Sequence, residues 1–255
     1  MQLPGLGLGI RPRILKLIER GVVNHIHRKV DRSRVDQRIS YPSYKSLDAF
    51  IDVERLKAID ADIVQVLERR TRDNKFYTGG LTLNKNDDQI PGGFEIPLTT
   101  NKNPVYDYYE LDKPELWQPS AEAAEFSSLM EFIRTLPFKS TSRIIVLYDL
   151  SGAAVTAHRD HARLETCHEF VWFRTRLSKP FYVMNHRTKE RKYVESYSAW
   201  FDTVNQFHGA DAASGLSISI RVDGKFTDEF RSKIPVPSFN AASTAALWSC
   251  VGDKS

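Results

Sequence analysis

The sequence predicts an α+β protein in which helices come first and a β-rich half follows, and three observations carry that reading. Residues 47–70, LDAFIDVERLKAIDADIVQVLERR, place Phe50, Val53, Leu56, Ile59, Ile63, Val66 and Leu67 on one helical face. Residues 120–136, SAEAAEFSSLMEFIRTL, repeat helical spacing, with Ser120 in the N-cap position and Pro137 just past the end. From Ser142 onward, SRIIVLYDL, CHEFVWFRTRL, PFYVMNH, SYSAWFDTV and GLSISIRVDG are five strand-like runs with short breaks. Strands in series without intervening helices argue for a sandwich or barrel, and helices followed by strands give the α+β order.

Bulk properties narrow the function classes. The chain has 255 residues, 41% hydrophobic and 27% charged, which is ordinary globular composition. No run of 18 apolar residues predicts a membrane span. MQLPGLGLGIRPR has no basic leader before its apolar stretch, so no secretory signal is expected. Cys167 and Cys250 are the only cysteines, which is no disulfide framework, and a reducing, cytoplasmic setting is the expectation.

The net charge of +4 and pI of 9.0 are unevenly distributed. Residues 11–38 hold nine Lys or Arg against Glu19, Asp31 and Asp36, with Ile14, Leu17, Ile18 and Val22 at helical spacing. Such an arm can touch nucleic acid or an anionic membrane, or dock by its apolar stripe with the basic face solvated. Docking is the preferred reading, and nucleic acid is not an expected partner.

The domain reading is therefore a basic arm at 1–40, a single domain at 41–235 with its β core at about 142–230, and an extension at 236–255. Between 74 and 117, aromatic and β-branched residues are cut by GG, PGG and Pro, which predicts short strands and loops. Within it, KFYTGGLTLNKND (75–87) is where substrate contacts are expected.

The chemistry centres on TAHRDH at 156–161. His158-x-Asp160 is a weak motif alone, but His208 follows fifty residues later in AWFDTVNQFHGAD. Two imidazoles and a carboxylate are what a facial triad needs: they hold one face of an octahedral Fe(II) and leave the other open for substrate chemistry. In a strand, the x spacing puts His158 and Asp160 on one face, and pairing can bring His208 to them from a strand that ends just before it.

The ordered set RIIVLYDLSGAAVTAHRDH, EFVWFRTRL, AWFDTVNQFHG and LSISIRVDG resembles the aspartyl/asparaginyl β-hydroxylase family of 2-oxoglutarate-dependent oxygenases, which includes bacterial free-amino-acid hydroxylases. The resemblance covers residues 142–224, about a third of the chain. It implies a double-stranded β-helix (jelly-roll, cupin-like) core with the N-terminal helices on its outer face. It implies His158, Asp160 and His208 as Fe(II) ligands, with 2-oxoglutarate and O2 as co-substrates. It also implies a basic residue on the distal carboxylate of 2-oxoglutarate. In that family this Arg sits nearer the second His, where this chain has Ser217 or Ile218; the nearest Arg here is Arg221.

Alternation puts Arg221 on the same face as Ser217 and Ser219, and Arg174 on the face of Phe170 and Trp172. Both are candidates, because a guanidinium fork binds a carboxylate bidentately. If the apolar face of these strands fills a sandwich core, both Arg point to water. If helices cover that face, both line an inner pocket, and the two amphipathic segments supply such a cover.

The resemblance thus implies an oxygenase hydroxylating an unactivated C–H bond of an amino acid or small amino-acid-derived metabolite, with release of succinate and CO2. Two alternatives stand beside it: a jelly-roll metalloenzyme using Zn or Ni without 2-oxoglutarate, and a nucleic-acid-binding protein acting through the arm. His161, His168 and His186 read as surface or supporting groups and Cys167 as incidental. Asp202 reads as orienting a ligand or closing a strand-end turn. Trp172 and Trp200 read as packing residues, with Trp172 also placed to form a substrate wall.

Overall fold

The structure, a computed structural model, describes residues 44–73, 93–102, 111, 113–158, 169–185, 188–203 and 206–234. The basic arm, the stretch 75–87, the extension 236–255, and Asp160, His161, Cys167, His168 and His186 lie outside the described residues.

The larger sheet contains β1 (Lys45–Ser46), β2 (Gly93–Pro97), β5 (Phe138–Asp149), β7 (Phe170–Phe173), β10 (Ser198–Trp200) and β12 (Ser217–Phe226). Its order is β1-β10-β7-β12-β5-β2. The smaller sheet contains β6 (Val155–His158), β8 (Phe181–Met184), β9 (Arg191–Tyr193) and β11 (Phe207–Ala210), in the order β6-β11-β8-β9. A separate two-stranded ribbon pairs β3 (Thr99–Asn101) with β4 (Trp117–Pro119). Every pairing is antiparallel. From β5 to β12 the chain passes back and forth between the two sheets, which makes the core a double-stranded β-helix.

The faces of β5 and β12 explain how the layers stack. Ile144, Val146, Tyr148, Ile218, Ile220 and Val222 share one face, and all are buried. Helix α2 (Asp60–Arg72) supplies Ile63, Val66 and Leu67 to the same apolar cluster, and α3 (Ser127–Ile133) sets Phe132 edge-on to Phe173 at 5.4 Å. Each such burial is worth about 1.5–3 kcal/mol. On the opposite face Leu147, Ser217 and Ser219 are only partly buried. Helices cover the outer face, and the polar positions look inward.

The helical reading needs two corrections. The segment 47–70 is not one helix: a 3-10 turn at Asp48–Phe50 precedes α1 (Val53–Ala58), and Ile59 separates α1 from α2. Asp48 is the cause at the start, because its carboxylate accepts from Tyr197 N, Ser198 N and Ser198 Oγ and ties this point to β10. Asp52 then caps α1 by accepting from Arg55 N at 2.9 Å. Ser120 does not cap with its side chain. Its Oγ donates to Pro97 O at 2.8 Å, and a 3-10 turn at Glu122–Phe126 leads into α3. A last short helix, α4 (Asp228–Arg231), is capped by Thr227.

Gly152 joins the turn before β6 to the turn before β12. Its carbonyl accepts from Ala213 N at 2.9 Å, its φ is +69°, and a Cβ there would lie 2.0 Å from Ala213 O. Gly152→Ala is expected to cost about 2 kcal/mol or more, read as a lowered midpoint in urea unfolding.

Candidate functional site

His158 and His208 are direct cross-strand partners on β6 and β11, with ring centroids 4.5 Å apart and planes at 57°. The sequence reading placed His208 just after a strand; it lies within β11 and pairs with Val183 of β8 on its other side. Gly209 makes this packing possible. A Cβ at Gly209 would lie 2.6 Å from Val155 O and 2.8 Å from Tyr182 Oη, so a larger residue would push the flanking strands off β11.

Each ring is held by the carbonyl two residues before it. His158 Nδ1 lies 2.8 Å from Thr156 O, and His208 Nδ1 lies 3.2 Å from Gln206 O. A carbonyl only accepts, so both Nδ1 atoms carry the proton, and in the neutral rings the lone pair falls on Nε2. That is the tautomer and orientation a metal-binding imidazole needs. His208 is 6% exposed, with Phe201 at 5.3 Å and Phe181 at 6.1 Å between ring centroids. The His208 imidazole therefore sits in an aromatic wall, while His158 beside it is only partly buried. Asp160, two residues beyond the end of β6, lies outside the described residues, and among the described residues no group of three or more His, Cys, Asp or Glu gathers to hold a metal ion.

The facing sheet contributes Trp172, whose ring lies 4.5 Å from Phe181, closing the gap between the layers. Arg221 is in register with Trp172 and shares that inward face. Its guanidinium lies 4.2 Å from the Phe170 ring and contacts Asp223 Oδ1 through Nε and Nη2, both at 3.0 Å. Arg143 Nε donates to the other oxygen of Asp223 at 2.9 Å. Two guanidiniums thus share one fully buried carboxylate.

Arg174 has different surroundings. β7 ends at Phe173, and the Arg174 guanidinium donates to Lys179 O at 2.9 Å, to Ser196 O at 3.2 and 3.3 Å, and to Val194 O. Burial lowers its pKa to about 10, against the pull of Asp48 and of Tyr44 and Tyr197. This side chain clamps the turn before β8 to the segment between β9 and β10. Trp200 is buried against Phe170 at 6.3 Å, a packing role. The Asp202 carbonyl accepts from Gln206 N at 2.8 Å and closes the turn into β11.

Sequence reasoning missed Arg143 and the buried pair Lys179–Asp149. Period-two alternation from Ile145 would have placed Arg143 inward, whereas no local pattern marks Lys179. Lys179 Nζ donates to Asp149 Oδ2 at 2.5 Å and to Ala153 O at 2.6 Å, while Ser151 donates to Asp149 Oδ1 through N and Oγ. The network fixes the turn that delivers β6 and His158. Burial works against a charged Asp149, but Lys179 and Ser151 outweigh it and hold the carboxyl below the usual range. A depressed carboxylate stabilises the fold above its unfolded pKa, and that contribution fades as pH falls through the folded one. Lys179→Met should therefore cost about 3–5 kcal/mol at neutral pH, the penalty of an uncompensated buried charge, with the gap to the parent narrowing toward acid pH in denaturant titrations.

No family model matches the chain, and no curated protein matches it. Among solved structures it is similar to a Pseudomonas putida prolyl-4-hydroxylase: 10% identity, TM-score 0.42, covering 80% of this chain and 99% of the other. It is similar to a Trichoplax adhaerens prolyl hydroxylase in complex with a peptide fragment of the hypoxia inducible factor oxygen degradation domain, at 12% identity and TM-score 0.44, covering 88% and 97%. A third is an oxidoreductase of the 2OG-Fe(II) oxygenase family from Burkholderia pseudomallei, at 9% identity and TM-score 0.33, covering 52% and 70%. Likenesses at this level leave the chain's own residues to carry the functional reading.

Proposed function

We propose that the chain is an Fe(II)- and 2-oxoglutarate-dependent oxygenase that hydroxylates an unactivated C–H bond of an amino acid or small amino-acid-derived metabolite. The observation that carries this reading is the cross-strand pair His158–His208, with both Nδ1 protons held by backbone carbonyls inside a jelly roll. His158, His208 and Asp160 would hold the iron through two imidazole nitrogens and one carboxylate. Bound iron supplies the coordination site at which 2-oxoglutarate and O2 react, so that 2-oxoglutarate, O2 and R–H give succinate, CO2 and R–OH.

The protein's own contributions follow from the geometry. Thr156 O and Gln206 O orient the imidazoles. Trp172, Phe181 and Phe201 keep water from the reacting centre. Arg221 takes the distal carboxylate of 2-oxoglutarate, and Arg143 retains Asp223 when it does. Arg174, already engaged by the carbonyls of Lys179, Val194 and Ser196, acts as a structural clamp.

Among the described residues no helix is long and apolar enough to cross a membrane.

Succinate formation from 2-oxoglutarate tests this directly. A chelator should abolish it and Fe(II), not Zn(II), should restore it; restoration by Zn(II) or Ni(II) would favour the metalloenzyme without 2-oxoglutarate. Arg221→Ala should raise the half-saturating 2-oxoglutarate concentration roughly 10- to 100-fold, the loss of a charge-assisted bidentate contact. Arg174→Ala should instead lower the unfolding midpoint. If both variants keep parental co-substrate affinity, the assignment of 2-oxoglutarate is wrong.

A further inference from the structure

Asp223 joins the two arginines of the inner face, and an irregularity in the β5–β12 pairing brings them together. Val222 pairs with Ile144 and Gly224 with Thr141, so Asp223 alone on β12 stands opposite both Ser142 and Arg143 of β5. This is a β-bulge, a device that re-aims a side chain out of the regular row. Arg143 Nε lies 2.9 Å from Asp223 Oδ2, while Arg221 Nε and Nη2 each lie 3.0 Å from Oδ1. Gly224 lets the strands close at this point, since a Cβ there would lie 2.4 Å from Ser140 O.

The same contacts fix how Arg221 is presented. A guanidinium is planar and carries five N–H donors. Asp223 takes donors from the edge formed by Nε and Nη2, and the Phe170 ring covers a face at 4.2 Å. With one edge and one face fixed, the edge between Nη1 and Nη2 has a single direction. Asp223 is fully buried and Arg221 is 9% exposed, so little water competes for these contacts.

Ring contacts link this arrangement to the histidines. Phe170 lies 5.8 Å from Phe201, and Phe201 lies 5.3 Å from His208, between ring centroids. Guanidinium and imidazole thus stand at the two ends of one row of two aromatic rings. A long side chain that must be ordered at the moment of binding costs affinity, and a guanidinium ordered beforehand avoids that cost.

We propose that Asp223 is a positioning residue for co-substrate binding. Anchored by Arg143, it holds Arg221 with its Nη1–Nη2 edge turned to the distal carboxylate of 2-oxoglutarate. This deepens the oxygenase reading and rests on it.

The test compares 2-oxoglutarate with 2-oxopentanoate, which keeps the carbon chain and the chelating end but has a methyl group in place of the distal carboxylate. Both are titrated calorimetrically, under exclusion of oxygen, into Fe(II)-loaded protein. The parent should prefer 2-oxoglutarate roughly 10- to 100-fold. Asp223→Ala should cut that preference roughly tenfold by weakening 2-oxoglutarate alone. Asp223→Asn, which keeps an oxygen for Arg221, should recover part of the loss. Arg143→Met should cut the preference roughly threefold or more, and it should fold, because Asp223 keeps Arg221 as its partner. Variants that retain the parent's preference, or that lose both 2-oxo acids alike, overturn the positioning role. Equal preference in Asp223→Ala and Asp223→Asn overturns it too, since a change of charge alone would give that result. If Asp223→Ala does not fold, the other two variants decide, and failure of Arg143→Met to fold contradicts the account. The parent separates the two failures. A parent preference that the variants leave unmoved removes only the role of Asp223; a parent that does not bind 2-oxoglutarate, or binds both acids alike, removes the co-substrate assignment as well.

Discussion

The antiparallel pairing of β6 with β11 is the constraint on which the rest of the site depends. It sets two residues fifty apart in sequence directly across from one another, at a ring separation of 4.5 Å. Cross-strand neighbours have Cβ atoms about 4.5–5.5 Å apart, close enough for both side chains to reach one small ligand. A slip of one residue in this register would turn one imidazole to the opposite face. Gly209, the Gly152–Ala213 contact and the Lys179–Asp149 network all bear on this single register.

A second ordering principle is the division of each long strand into a sealed face and a chemical face. On β5 and β12 the apolar residues go outward beneath the helices, the reverse of a sandwich whose apolar faces meet in the middle. That inversion allows Arg143, Arg221 and Asp223 to lie on the inner face, between the sheets. Buried charge is tolerated there because most of it is paired: Asp223 takes two guanidiniums, and Asp149 takes Lys179.

Much of this was legible in the chain. β5, β7, β8, β10 and β12 announced themselves as strand-like apolar runs, and alternation assigned Arg221 and Trp172 to faces that only the helical cover shows to be inward. Three strands were less visible for different reasons. β11 reads FHGA and owes its burial to neighbours; β6 reads VTAH with an exposed Thr156; β9 reads RKY and is exposed throughout. The start of α1 was misread because periodicity carries no information about Asp48 bonding to β10. Alternation also treated Arg174 and Arg221 as equals. What separates them is the ring of carbonyls from Lys179, Val194 and Ser196, which comes from a turn whose path no local pattern specifies.

The most direct measurement is the visible spectrum of Fe(II)-loaded protein on addition of 2-oxoglutarate without oxygen, with His158→Ala alongside. The account predicts a metal-to-ligand charge-transfer band in the parent that is missing from the variant, the mark of 2-oxoglutarate chelating an iron held by the histidine pair. A parent that binds iron yet develops no band, or a variant that develops the same band, would contradict it.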